Sequence, residues 1–382
     1  MPPFIGGGIG IVTIIAFVLL VPDVISHEKS NQWMLSGVTK VFLVLFVYTA
    51  ARLSMYVLSG DEQSENMGVI MQWLILLGSW GAMFSIGRFW PHELPEKFNY
   101  LLFLSVLSMA LFVYISVHYL HDDPGKSVLS LGRDVSGEQR LSYQGFSRLL
   151  AISGLVVLAA MRKLVVFLVC LVALLFALLL LGSRAELFAC VLVLPILFYL
   201  NFPIFDKKKV AVGILVLTLS SIVCLQLLNP TNFDRYLEVL DSSNSESLVL
   251  RKRLTIEALD AIESKPVFGD FAGHTRQHEG VGHYAHNILS SWRQLGLAGF
   301  LLFSVLMAWP VFVSLRRLPR IRQLAGNDIW RILAVVSSFT LILVITSRSV
   351  FTSYFALVWG IFASATMASA SSSEISLEDK TG

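Results

Sequence analysis

Three short clusters hold the residue types that can grip an anion or move a proton. Gly182-Ser183-Arg184 closes one apolar run, Arg251-Lys252-Arg253 lies in a polar segment, and His286-Asn287 opens another apolar run. The planar guanidinium of arginine makes paired, charge-assisted hydrogen bonds to phosphate or carboxylate oxygens and stays protonated. Histidine titrates near pH 6.5 when unperturbed and can accept a hydroxyl proton, a role worth about 10²–10⁴ in rate. Each residue also has an ordinary reading. An arginine at the end of an apolar run, as Arg184 is, snorkels to the interface without any function. Charge in a loop helix is usually a solvated face, and positive charge is unfavourable near a helix N-terminus unless something negative lies close. A lone interfacial histidine is most often a hydrogen-bonded packing residue. Arg348, between the last two apolar runs, is either a further anion contact or another snorkelling charge.

The elements that must position these residues are set by composition. Of 382 residues, 55% are hydrophobic and only 14% are charged, and the mean hydropathy is +0.71. A soluble protein could not bury that much apolar surface, so lipid must be the main solvent. Hydrocarbon offers backbone groups no partners, and the apolar runs are near twenty residues without strand-like alternation, so they read as helices. They fall near 5–24, 35–58, 67–90, 98–120, 144–161, 164–182, 185–204, 210–228, 287–314, 328–346 and 349–370. The predicted fold is all-α, a polytopic transmembrane bundle of about eleven spans with one large loop carrying short helices.

Arg162-Lys163, Lys207-Lys208-Lys209 and Arg316-Arg317 with Arg320 and Arg322 lie in short connections on alternate sides, and mark the cytoplasmic face. The segments 121–143 and 229–286 then lie outside, with the three clusters on the outer side. The net charge of +3 comes from these loops and forms no basic arm, which argues against nucleic acid. Cys170, Cys190 and Cys224 sit inside apolar runs at no paired spacing, so neither disulfides nor zinc are implied. Within 229–286, Leu250, Leu254, Ala258 and Ile262 recur every four residues and predict an amphipathic helix, which Pro266 and Gly269 stop.

Ordered motifs run through the second half of the chain. They are Leu181-Gly182-Ser183-Arg184-Ala185, Arg251 followed by Ala258-Leu259-Asp260-Ala261-Ile262, Lys265-Pro266-Val267-Phe268-Gly269, Ala285-His286-Asn287-Ile288-Leu289, and Leu295-Gly296-Leu297-Ala298-Gly299. In their order and spacing the chain resembles the O-antigen ligase and polysaccharide polymerase family, over roughly residues 164–314. The resemblance implies a glycosyltransferase of the bacterial inner membrane, and because no acidic cluster with metal-ligand spacing lies on the outer side of this module, arginines are expected to replace a divalent metal, with no cofactor. Its donor would be an undecaprenyl diphosphate-linked glycan. Its acceptor would be a lipid-linked repeat for a polymerase or lipid A-core for a ligase, and other polysaccharide-assembly membrane proteins would be partners. Arg184 and Arg251 would hold the diphosphate, with Arg253 the competing loop arginine, and His286 would stand beside the acceptor as the candidate base. Ser183, Asn287 and Arg348 complete the candidate binding set. Thr255 departs from the pattern, since the family often has an aromatic residue there.

The resemblance divides the chain into N-terminal spans (1–163), a ligase/polymerase-like module (164–314) with a periplasmic loop (229–286), C-terminal spans (315–370) and a disordered cytoplasmic tail (371–382). Two other classes compete with the enzyme reading. His274, His278, His283 and His286 would suit a metal-dependent hydrolase, but Gly273, Gly280 and Gly282 oppose the helix needed, and Thr275 replaces the expected glutamate. A transporter or flippase would line a midplane path with charge, for which Lys40, Arg52 and Arg88 are the candidates; Glu186, also near membrane depth, is expected to pair with Arg184.

Overall fold

A computed structural model describes residues 36–59, 67–88, 143–161, 163–180, 183–202, 246–273, 285–323 and 328–378, with four isolated positions between 103 and 110. Every regular element among them is an α-helix. In chain order these are α1 (Gly37–Leu58), α2 (Met67–Arg88), α3 (Tyr143–Ala160), α4 (Leu164–Leu180), α5 (Arg184–Asn201), α6 (Glu246–Ser264), α7 (Leu289–Gln323), α8 (Asp328–Thr346) and α9 (Phe355–Glu378). Five of them, α1, α2, α5, α7 and α8, are long and apolar enough to cross a membrane. The apolar runs 5–24, 98–120 and 210–228 lie wholly or largely outside the described residues, as do Lys207-Lys208-Lys209 and His274, His278 and His283.

The described residues fall in two compact units that interleave along the chain. One lies within Glu96–Val249 and Ser314–Leu343, the other within Pro2–Pro95, Leu250–Val313 and Val344–Gly382. Three helices, α6, α7 and α8, each have residues in both units.

In the first unit α3, α4 and α5 pack on one another. The close approach of α3 to α4 needs Gly154, where a Cβ would sit 2.7 Å from a methyl of Leu174. Phe167 packs edge-on against Phe198 and Phe202, at 5.3 and 5.1 Å between centroids. The C-terminal end of α5 is held by side chains. Asn201 Nδ2 donates to the Leu158 carbonyl at 2.9 Å, and the buried Arg331 of α8 donates to Asn201 Oδ1 and the Leu200 carbonyl. A cation there also complements the negative end of the helix dipole.

In the second unit α2 and α9 touch through their backbones. A Cβ on Gly87 would meet the Leu357 carbonyl oxygen at 2.2 Å, and one on Gly360 would meet that of Phe84 at 2.1 Å. Small residues at such crossings let helices gain dispersion contact where lipid removes the hydrophobic driving force. Phe42 of α1 stacks on Phe84 at 4.1 Å and leans on Trp359 of α9 at 6.0 Å. α1 meanwhile exposes Leu43, Val44, Val47 and Met55, as expected of a helix whose outer solvent is hydrocarbon.

Three sequence expectations are adjusted. α9 begins at Phe355 rather than near 349, because 347–354 forms turns, and its helix runs to Glu378, through the start of the segment read as a disordered tail. On α6, Leu254, Ala258 and Ile262 are buried as the spacing predicts, but Leu250 is exposed. The run 287–314 is not one uninterrupted helix. α7 breaks at Gly296, whose φ of 70° and ψ of −174° lie in a region that only glycine occupies readily.

Candidate functional site

Two of the three clusters meet in the second unit. Arg251 lies in the second turn of α6, and Thr255, one turn further on, presents the same face. Thr255 Oγ1 donates to the Arg251 carbonyl at 2.8 Å and accepts the side-chain amide of Asn287 at 3.3 Å. That single hydroxyl therefore ties the helix carrying Arg251 to the turn carrying His286. Asn287 has a structural task as well: its Oδ1 accepts the Leu289 N–H at 3.0 Å, capping the start of α7. His286 and Arg251 are both partly exposed.

A third segment joins the same place. The backbone N–H of Val350 donates to the hydroxyl of Ser290 at 2.8 Å, in the first turn of α7. This brings the 347–354 turns, and Arg348 with them, to the helix that His286 precedes. Arg348 is only 7% exposed, so it is not the snorkelling interfacial charge that one reading of the sequence allowed. Arg293, one α7 turn beyond Ser290, is completely buried, alongside Ser290, Ser291 and Gln294. Sequence reasoning did not single out Arg293, the seventh residue of the apolar run 287–314, since nothing local marks it as buried.

Arg253 behaves differently from Arg251. It is exposed and forms a 2.9 Å ion pair with Glu257, one turn along α6. Among the described residues of this unit the acids are Glu257, Asp260, Glu263 and Asp270, with Glu374 and Glu378 at the end of α9. Glu257 is engaged by Arg253 and Asp270 by Lys265 at 2.7 Å, while Asp260 and Glu263 are exposed. Arg251, Arg293 and Arg348 thus give the region a local excess of positive charge.

The segment after α6 fixes this arrangement. Gly269, at φ 70°, closes a turn in which its N–H donates to the Lys265 carbonyl at 2.9 Å. The turn fills the break in α7. Leu297 N–H donates to the Val267 carbonyl at 3.0 Å, Asp270 N–H to the Arg293 carbonyl, and Trp292 Nε1 to the Pro266 carbonyl at 2.8 Å. Gln294 Oε1 accepts the N–H of Ala272, a residue at φ 59°. From α1, Arg52 donates to the Phe268 carbonyl and Tyr48 to the Leu295 carbonyl, both at 2.7 Å. The guanidinium of Arg52 also lies over the Phe271 ring at 5.7 Å. Backbone freed by the helix break is therefore bonded to protein, as membrane depth demands. A Cβ on Gly296 would sit 2.2 Å from the Val267 oxygen, and one on Gly269 would sit 2.5 Å from the Gly296 nitrogen.

The remaining cluster belongs to the first unit. Arg184 is the first residue of α5 and Ser183 its N-cap. The Ser183 hydroxyl donates to the buried carboxylate of Glu186, which also faces Arg148 at 4.0 Å. Glu186, expected to answer Arg184, thus has Ser183 and Arg148 as neighbours, in the first helical turn where the dipole favours a negative charge.

No protein-family model and no curated protein matches the sequence.

Proposed function

We propose that the chain is a bacterial inner-membrane glycosyltransferase of about eleven spans, with its active site on the periplasmic face. It moves an undecaprenyl diphosphate-linked glycan to a glycan acceptor without a metal ion. The observation that carries this reading is the junction of Arg251, His286 and Arg348 through the Thr255–Asn287 and Ser290–Val350 hydrogen bonds. Three separate segments deliver a basic group to one region at the end of apolar helices, and a lipid-borne diphosphate presents its charge at that level.

In this mechanism the arginines stabilise negative charge that grows on the diphosphate as the glycosidic bond breaks, which favours the transition state over the bound substrate. His286 takes the proton of the acceptor hydroxyl, and one direct displacement inverts the anomeric carbon. A role for Arg184, which belongs to the first unit, rests on the motif resemblance alone. Polymerase and ligase share this donor site and differ only in the acceptor; the short sequence between Gly269 and His286 favours polymerase.

The test is transfer of polyprenyl-diphosphate glycan by purified protein in liposomes with chelator present. Wild type should transfer, and Arg251→Ala, Arg348→Ala and His286→Ala should each lose about 10²-fold or more while inserting normally. Near-normal transfer by His286→Ala would sink the base role, and loss of all transfer on chelation would sink the arginine mechanism. One observation favours a second reading: broken helices such as α7 occur in transporters, where they line the substrate path. Glycan flux across the liposome, with no transfer to any acceptor, would decide for it.

A further inference from the structure

The turn that fills the break in α7 has an unexpected outer surface. Its backbone is bonded on all sides, yet at its tip Val267 is 57% and Phe268 71% exposed. Two neighbouring large apolar side chains on a polar connection are normally turned inward, and here the hydrogen bonds turn them out.

Their surroundings identify what covers them. Past the break, α7 exposes Leu297, Leu301, Val305 and Trp309, each four residues after the last, followed by Phe312. This stripe is the lipid-facing side of a helix apolar enough to span. The Val267 carbonyl receives the N–H of Leu297, the first residue of that stripe, so the turn continues it beyond the break. The Phe268 carbonyl is held by Arg52, six residues before the end of α1 and just ahead of Met55 and Leu58, which are among the most exposed apolar residues of that helix.

We propose that Val267 and Phe268 are a membrane anchor, inserted among phospholipid chains at the membrane interface. Aromatic and aliphatic residues at the boundary of headgroups and chains hold interfacial segments at a defined depth. Here the anchor is grafted on the loop that follows α6, and the backbone interlock with α7 fixes its angle. The exposed surface of α6 is mixed, with Lys252, Arg253, Asp260 and Glu263 beside Leu250, Ile256 and Leu259, and its charged positions are left to water. The inference needs only that the apolar helices cross a membrane; it is independent of the reaction catalysed.

Spin labels at single cysteines report this directly in the full chain reconstituted in phospholipid vesicles. With Cys170, Cys190 and Cys224 replaced by alanine, Val267→Cys and Phe268→Cys should give labels reached by oxygen, which concentrates in lipid. They should be shielded from a water-soluble nickel complex. A label at Asp260→Cys should show the reverse order. Access to nickel at 267 and 268 would overturn the anchor, and shielding from both reagents would show a protein partner there instead, which also overturns it. Should the cysteine-free chain fail to insert, p-benzoylphenylalanine at position 268 of the otherwise native chain gives the same decision. An adduct with phospholipid supports the anchor, whereas an adduct with protein, or none, removes it.

Discussion

α5 in one unit and α7 in the other both carry backbone groups that their helical ladders leave over, and they satisfy them by different means. At the C-terminal end of α5 the work is done by side chains: Asn201 Nδ2 donates to the Leu158 carbonyl of α3, and Arg331 of α8 donates to the Leu200 carbonyl and to Asn201 Oδ1. At the break in α7 it is done largely by other backbone, the turn from Pro266 to Asp270 lying directly against residues 292–297. Side chains adjust by rotating, so a helix end held by them tolerates small displacement. Backbone against backbone has no such freedom, and it forces glycine at both Gly269 and Gly296. The stiffer construction is found in the unit where Arg251, His286 and Arg348 meet. On the proposed reading these residues act together, and a catalytic set loses much of its effect when misplaced by about 1 Å, which this interlock would prevent.

The sharpest way to break that comparison is Gly296→Ala. The backbone there lies in a region costing an L-residue about 1–3 kcal/mol, and the new methyl must also displace the Val267 carbonyl. A large fall in the thermal midpoint of detergent-solubilised protein is expected, together with lost transfer. An unchanged midpoint would mean that the break is soft and the contrast with α5 is false. Arg331→Met should have a middling effect, about 1–3 kcal/mol from the unmet Leu200 and Asn201 acceptors. Transfer per folded molecule should persist, and its loss would make the first unit more than a scaffold. Arg253→Ala should have the smallest effect, below about 0.5 kcal/mol for an exposed i,i+4 pair, with transfer intact. If that variant abolishes transfer instead, the anion-binding role passes from Arg251 to Arg253.

Much of this architecture is legible in the amino-acid pattern because lipid makes a simple demand. A run of about twenty apolar residues has no conformation but helix in which its backbone is satisfied, so runs such as 35–58 and 328–346 coincide with α1 and α8. The stop of α6 is legible for an equally local reason, since Pro266 and Gly269 cannot continue it. The break in α7 is not legible. A glycine within a membrane helix is ordinarily a packing residue, and only the distant turn at 266–270 reveals that Gly296 is a point of discontinuity. Leu250 and Arg348 were obscure for a related cause: which face is covered depends on segments far along the chain. At the candidate site, the motif residues Arg251 and His286 are visible as chemistry, but their connection is not. Thr255, a departure from the family pattern, turns out to be the residue through which the two segments are joined. Arg184 and Ser183 belong to a unit whose own contacts explain Ser183 and Glu186.

The contact of Gly87 with Gly360 has a consequence in time. The two glycines are separated by most of the chain, and a ribosome delivers α2 to the bilayer long before α9 exists. Until α9 arrives, the bare backbone strip around Gly87 faces lipid, which fills it poorly. Closure of that strip, together with the stacking of Phe42 and Phe84 near Trp359, is therefore among the last events of biogenesis. A chain cut short before α9 would leave its second unit unsealed, with a groove that quality-control proteases of the membrane are suited to find.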